Sequence, residues 1–376
     1  MKSSNHYKTW VEISRSAVLN NFRAIKSILA PQAKFYAVVK SNAYGHGLIL
    51  FSKLADKLGV DGFCVDSVVE GVKLRQNGIK KAILVLGPTL PPNSFHDAYK
   101  NKITLTISNY EGLKRLLSSK YRQEFHLKID TGMHRQGFYV AELPAIVKKV
   151  QPPTSHLQHL LTGIYTHFAA PGNREFTEKQ FKEFQKSVKI FEQSGFTNLM
   201  KHVAATGGVL VDKKYHLDAV RIGIGLYGLW PSEKLKKQMA KKIKLQPVLL
   251  WRSIISEIKE LKKGDRIGYD LTEGIARSTK IVIVPIGYWH GFDRGLSGKG
   301  EVLIHGKRAK VLGRVSMDFI AVDATGINCI AGDRVTLLAK DGKDEISAEE
   351  IAGRISTNNY EVITRINPLI ERIIAS

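Results

Sequence analysis

Phe35-Tyr36-Ala37-Val38-Val39-Lys40-Ser41-Asn42-Ala43-Tyr44-Gly45-His46-Gly47 is an apolar, β-type run closed by a lysine and followed at once by a glycine-punctuated turn. Five apolar residues in succession fit a strand buried on both faces, the kind that builds parallel sheets. A lysine closing such a strand brings its ammonium into surroundings that disfavour the charged form, which leaves an amine able to condense with a carbonyl. An arbitrary strand-end lysine only snorkels its head to water. The meaning of Lys40 therefore depends on what else the chain brings to the same place.

Outward from this unit, short apolar runs alternate with helical stretches as far as Ile222. The runs are 35–39, 62–65, 82–86, 103–107, 125–130, 162–166, 200–204 and 219–222. Eight strands, each followed by a helix, predict a closed (β/α)8 TIM barrel rather than an open sheet. Val18, Phe22, Ile25 and Leu29 recur at helical spacing and stop at Pro31, so a helix leads in. After about Lys244 the texture becomes strand-rich, with runs at 247–258, 280–286, 301–305, 309–323 and 334–339 and one helix near 348–355. The expected organisation is a barrel domain over 1–243 and a mainly β C-terminal domain over 244–376, with an opening strand at about 8–13 open to pairing with the second. The lysine-rich stretch 234–244 reads as an exposed linker helix.

A chain of 376 residues with 43% hydrophobic content is ample for such cores. No stretch reaches the about 18 apolar residues of a membrane span, and Met1 to Lys8 lacks the apolar core of a secretory signal. A cytoplasmic protein with no membrane partner is expected. Cys64 and Cys329 give neither a disulfide framework nor metal-ligand spacing, so no metal site is expected. The net charge of +23 would alone suggest a polyanionic partner. The lysines are scattered in pairs, however, and the densest cluster, 234–244, has no interleaved aromatic residues to stack bases, which argues against nucleic acid.

Catalytic groups of such barrels gather at the carboxyl ends of the strands. Lys40 ends strand one, Asp130 to Arg135 end strand five, His167 ends strand six, Thr206 follows strand seven and Arg221 to Ile224 end strand eight. Anions typically bind at the loops after strands seven and eight, where the Thr206 hydroxyl and the amides of Gly207, Gly208, Gly223 and Ile224 would receive a phosphate. Gly223-Ile224-Gly225-Leu226-Tyr227-Gly228 also fits a dinucleotide fingerprint, but Pro231 falls where a long helix should run, and no acidic residue stands about 20 positions on.

Ala37 to Gly47 closely resembles the pyridoxal-phosphate attachment motif of alanine racemases, a fold-type III family. The resemblance continues in register through Thr9–Ile13, Lys128–Arg135, Thr166–Ala169, Arg221–Ile224, Gly268-Tyr269, Gly287-Tyr288, Gly313–Asp318 and Asn359–Glu361. It implies pyridoxal 5'-phosphate on Lys40, with Tyr44 and Tyr360 reaching its phosphate, Arg221 facing its pyridine nitrogen and His167 holding Arg221. It also implies two acid/base groups flanking Cα, Lys40 and Tyr269, because racemisation removes a proton from one face of a planar carbon and returns one to the other. In relatives that tyrosine enters the pocket of the other subunit, so the expected partner is a second copy, in a homodimer with shared sites. Arg135 and the backbone N–H of Met317 resemble the groups that hold the carboxylate of an amino-acid substrate. Lys128 resembles a lysine that is carbamylated in some relatives; otherwise it points outward. Asp130 to Met133 shapes the loop.

The implied activity is interconversion of L- and D-alanine. Three departures leave substrate width open: Ala205-Thr206 stands where Asn-Ser is common, Pro171-Gly172 where a small residue and an acid are usual, and Trp289-His290 where Ala-Asp is common. Serine or a broader range of amino acids is the nearest alternative. A pyridoxal-phosphate decarboxylase of the same architecture would lack the opposed tyrosine. A non-catalytic pyridoxal-phosphate-binding protein would have no use for residues 245–376.

Overall fold

A computed structural model describes residues 7–89, 91–151 and 159–375. All eight expected barrel strands form: Lys34–Val38, Gly62–Val65, Ala82–Val85, Leu105–Ile107, Phe125–Asp130, Leu161–Tyr165, Met200–His202 and Ala219–Ile222. Every pairing is parallel. Strand eight pairs with one, one with two and two with three; four pairs with five, five with six and six with seven. Parallel bridges Leu84↔Thr104 and Ala205↔Arg221 join the two sets into a closed cylinder. Strand five is buried along its length. Period-two alternation puts His126, Lys128 and Asp130 on one face and Phe125, Leu127 and Ile129 on the other, so the polar set lines up toward the mouth.

Several of the surrounding helices start where short polar side chains satisfy the first free N–H groups: Ser67 caps Val68–Gln76, Asn109 caps Tyr110–Ser118 and Asn173 caps Arg174–Gln193. The lysine-rich stretch is not a free linker. Its helix, Glu233–Met239, buries Leu235, and Ile243 packs with Leu210 and Trp230 of the barrel unit. Residues 224–228 form turns and not the helix start that a dinucleotide fingerprint would require.

The second compact unit takes residues up to Ala17, Tyr44–Gly47 and everything from Pro247 on; the barrel unit holds Val18–Ala43 and Leu48–Gln246. In its large sheet Thr9–Ser14 lies between Leu249–Ile254, antiparallel, and Glu371–Ala375, parallel. Two expected strands are each broken in two. The first becomes Leu249–Ile254 and Glu257–Leu261. The second becomes Lys307–Leu312 and Ile320–Asp323, because Gly313 turns to a φ of 63° and starts a loop that carries Arg314 to Phe319. The helix Asn359–Thr364, capped by Asn358, and the last strand have too short or too mixed a pattern to be seen in the sequence. No helix among the described residues is long and apolar enough to cross a membrane.

Candidate active site

The chain does not leave strand one as ordinary helix. Ser41, Asn42, Ala43 and Tyr44 all have φ between 52° and 56°, a left-handed turn made without a glycine. Each such residue costs about 1–2 kcal/mol, so the turn persists only because it is tied down. Ala43 N–H donates to the Val39 carbonyl at 2.8 Å, Leu48 N–H to Asn42 Oδ1 at 2.8 Å and Ser41 N–H to Glu70 Oε1 at 2.8 Å. The turn carries Lys40 out of the apolar surroundings expected of it. Its side chain is 36% exposed, and Nζ lies 3.1 Å from Oδ1 of Asp66, which directly follows strand two. The amine is thus held by a neighbouring carboxylate at the mouth rather than desolvated. In the second unit the Tyr44 ring lies 6.1 Å from that of Tyr360, whose phenol is pushed up to about 12 by burial and so remains an O–H donor. Gly45 follows because a Cβ there would stand 2.0 Å from the Ile363 carbonyl oxygen.

On strand five, one carboxylate shapes the loop that carries Arg135. Asp130 Oδ1 accepts from the N–H groups of Gly132, Met133 and His134 at 2.9–3.1 Å, and Oδ2 accepts from Arg135 N–H at 3.2 Å. Lys128 points inward: it is 6% exposed, and its Nζ donates to Gln136 Oε1 at 2.9 Å. Burial, then the cations of Arg135, Arg221 and Lys40, push its amine down to about 7. The unfolded chain keeps a lysine protonated to about pH 10. Between about pH 7 and 10 the unfolded state therefore binds more protons than the native one, and this group's contribution to stability rises with pH. Lys128→Met should remove that slope, so that wild type gains roughly 2–4 kcal/mol on the variant between pH 7 and 10. Denaturant titrations at the two pH values check it, and an unchanging difference would contradict the assignment.

Arg221 is 2% exposed. Its Nη2 donates to the carbonyls of Thr166 at 2.7 Å and Val203 at 3.1 Å, and its Nη1 to the His202 carbonyl at 3.2 Å and to His202 Nδ1. A guanidinium only donates, so His202 carries its proton on Nε2 and passes it toward His126 Nδ1, 2.9 Å away. Both rings are neutral: burial and the Arg221 charge push His126 down to about 3 and His202 well below its ordinary value. Tyr165 stacks on His202 at 4.6 Å and lies 4.9 Å from the Arg221 guanidinium. His167, the partner expected from sequence, contributes one long contact of 3.5 Å from its Nδ1. His202 and His126 were not singled out, because one histidine within an apolar strand looks like a satisfied core residue. The available signal was position, since His202 ends strand seven as His167 follows strand six.

The short helix Thr206–Val211 starts after Ala205, which offers no capping side chain. The Thr206 hydroxyl accepts from Gly225 N–H at 3.3 Å, and a Cβ on Gly225 would stand 2.6 Å from Thr206 Cγ2. Gly223 and Ile224 are buried in the turn between them and strand eight.

In the second unit Tyr269 follows Gly268 and precedes two more left-handed residues, Asp270 and Leu271. Its side chain is 71% exposed. With Tyr288, Met317, Arg294, Arg314 and Arg365 it lines a cavity of about 990 Å³. Arg314 pairs with Asp270 at 2.9 Å. The Met317 carbonyl accepts from Trp289 N–H at 3.1 Å, and a side chain on Gly287 would collide with it at 2.3 Å. Among the described residues no group of three or more His, Cys, Asp or Glu is arranged to hold a metal ion.

Residues 13–231 match the family pattern described as alanine racemase, N-terminal domain, and residues 248–374 match alanine racemase, C-terminal domain. A protein of Leptospira interrogans named alanine racemase is 34% identical over 98% of this chain and 96% of its own length. The alanine racemase structure of Clostridium difficile 630 superposes with a TM-score of 0.89 at 34% identity, covering 98% of this chain and 96% of that one. The alanine racemase structure of Bacillus anthracis with bound L-Ala-P gives a TM-score of 0.90 at 34% identity, over 98% and 95% of the two chains.

Proposed function

The chain belongs to the alanine racemase family of isomerases, and we propose that it interconverts L- and D-alanine with pyridoxal 5'-phosphate as cofactor, Lys40 and Tyr269 being the two proton carriers. The observation that carries this reading is the Arg221 guanidinium, buried and fixed by the carbonyls of Thr166, His202 and Val203 in the same barrel that carries Lys40 two residues after strand one. Burial, then the charges of Arg221, Lys128, Arg135 and Lys40, push the His167 imidazole well below its ordinary value. The residues suit the cofactor: an amine at the rim, a buried guanidinium fixed on its far side by carbonyls, and an uncapped helix start beside a hydroxyl. When bound, pyridoxal phosphate supplies an aldehyde for the amine and a ring that takes up the electron pair left at Cα.

Arg221 would face the ring nitrogen and donate to it without surrendering its proton. His167 would stand beside it. Thr206, Gly223, Ile224, Tyr44 and Tyr360 would receive the phosphate through N–H and O–H donors. Arg135 would grip the substrate carboxylate in a two-pronged fork, held by the loop that Asp130 organises, with the Met317 N–H as a second donor. Lys40 takes or returns the Cα proton on one face and Tyr269 on the other. Lys128, its amine depressed to about 7, is the candidate for carbon dioxide addition beside Arg135. The L-Ala-P bound in the Bacillus anthracis structure supports alanine over bulkier amino acids.

Tyr269 would act in the pocket of a second copy. The exposed Tyr269, Leu271, Tyr288, Trp289, Met317 and Phe319 support a covered face there. Subunit complementation tests this. Lys40→Ala and Tyr269→Phe chains, each inactive alone, should regain up to about a quarter of wild-type racemisation when dissociated and reassociated together, because half of the resulting dimers hold one intact site of two. No recovery from verified mixed dimers would contradict a shared site.

A further inference from the structure

Ser67-Val68-Val69-Glu70 has the spacing of a capping box, in which the glutamate turns back to the N–H of the cap residue. Ser67 does cap its helix, with Oγ accepting from Glu70 N–H at 3.4 Å. The carboxylate, however, is engaged elsewhere. Its Oε1 accepts from Ser41 N–H at 2.8 Å and its Oε2 from Asp66 N–H at 2.8 Å. Ser41 is the first left-handed residue after Lys40, and Asp66 is the residue whose Oδ1 meets Lys40 Nζ. One side chain therefore holds both the backbone on which Lys40 is mounted and the backbone of its charge partner. Asp66 is fixed from the other side as well, since its carbonyl accepts from Gly87 N–H at 3.0 Å and a Cβ at position 87 would approach that oxygen to 2.3 Å.

We propose that Glu70 is a positioning residue that aims the Lys40 amine at Cα. The inference rests on the reading of Lys40 as a proton carrier. A lysine has four rotatable side-chain bonds and is aimed by what fixes its base and its tip. A proton donor or acceptor has to come within about 2.6–3.2 Å of the reacting atom, and a misplacement of about 1 Å can cost on the order of a hundredfold in rate. Freed from Glu70, the Ser41 N–H loses the anchor that keeps a strained turn in place. A glutamine turns one of the two accepting oxygens into an NH2 donor, so it cannot accept from the two amides through two separate atoms as the carboxylate does.

The test uses holoenzyme of wild type and Glu70→Gln, with three readouts: thermal midpoint, the fraction of cofactor fixed to Lys40 by borohydride reduction and mass spectrometry, and Cα-deuterium isotope effects from each enantiomer. Since the two enantiomers are equal in energy, kcat/KM should fall equally in both directions, by roughly ten- to a hundredfold. The isotope effect should rise for the enantiomer whose proton Lys40 removes and shrink for the other, with less cofactor fixed to Lys40. Isotope effects that remain symmetric, with or without a lower thermal midpoint, would reduce Glu70 to a structural residue and overturn the proposal. If Glu70→Gln does not fold, Glu70→Asp keeps the charge at the helix start but falls a methylene short of the two amides, and the same asymmetry decides. A Lys40→Ala enzyme that still racemises would instead sink the reading of Lys40 itself, whatever Glu70 does.

Discussion

Lys40→Ala should lose covalent attachment of the cofactor altogether and lower racemisation by roughly 10³-fold or more, the scale of removing a nucleophile and a general base together. The loss should be chemical and not structural. Lys40 is partly exposed and its pair with Asp66 is near the surface, where such pairs contribute about 0–1 kcal/mol, so the thermal midpoint should barely move. Nor does the nearby amine of strand five stand ready to substitute. Lys128, although depressed to about 7, is buried and already donates to Gln136. Borohydride trapping followed by peptide mass mapping should therefore find no reduced adduct in the variant. An adduct on Lys128 with retained turnover would show that the amine was assigned to the wrong strand.

Tyr269→Phe should have an effect of similar size on turnover, about 10²–10⁴-fold, through a different loss. The phenol is exposed and its ring lies in a loop of positive-φ residues, so removing one hydroxyl leaves the fold and the barrel mouth untouched. Cofactor attachment to Lys40 should persist at wild-type level, which separates this variant from Lys40→Ala. Absorbance titration with pyridoxal phosphate would show equal affinities. A Tyr269→Phe enzyme that racemises at near wild-type rate would leave one face of Cα without its proton carrier and require another acid/base group.

Much of the architecture could be seen in the sequence because burial on both faces forces apolar runs of strand length. Gly62–Val65 and Ala82–Val85 are continuous in the sequence for that reason. What the pattern hid was geometry set by tertiary contacts. Ser41, Asn42 and Ala43 have no glycine to announce a left-handed turn, and contacts with Glu70, Leu48 and Val39 hold it. The apolar run at 35–39 therefore suggested a desolvated Lys40, whereas the turn delivers it to Asp66. Gly313 breaks a run that reads as one strand and so creates the Met317 loop. His202 and His126 support Arg221 through a chain of tautomers that no spacing rule encodes. Glu70 fits a local capping rule, yet its carboxylate serves two other segments.

Two proton carriers on opposite faces of one carbon can be watched separately. Tyr269→Phe holoenzyme, dissolved in deuterium oxide and given each alanine enantiomer in turn, is followed by proton NMR at Cα. Exchange should continue, with retention of configuration, from the enantiomer that presents its proton to Lys40, and should all but vanish from the other. Exchange lost equally from both enantiomers, or kept equally by both, would contradict a two-sided mechanism built on Lys40 and Tyr269.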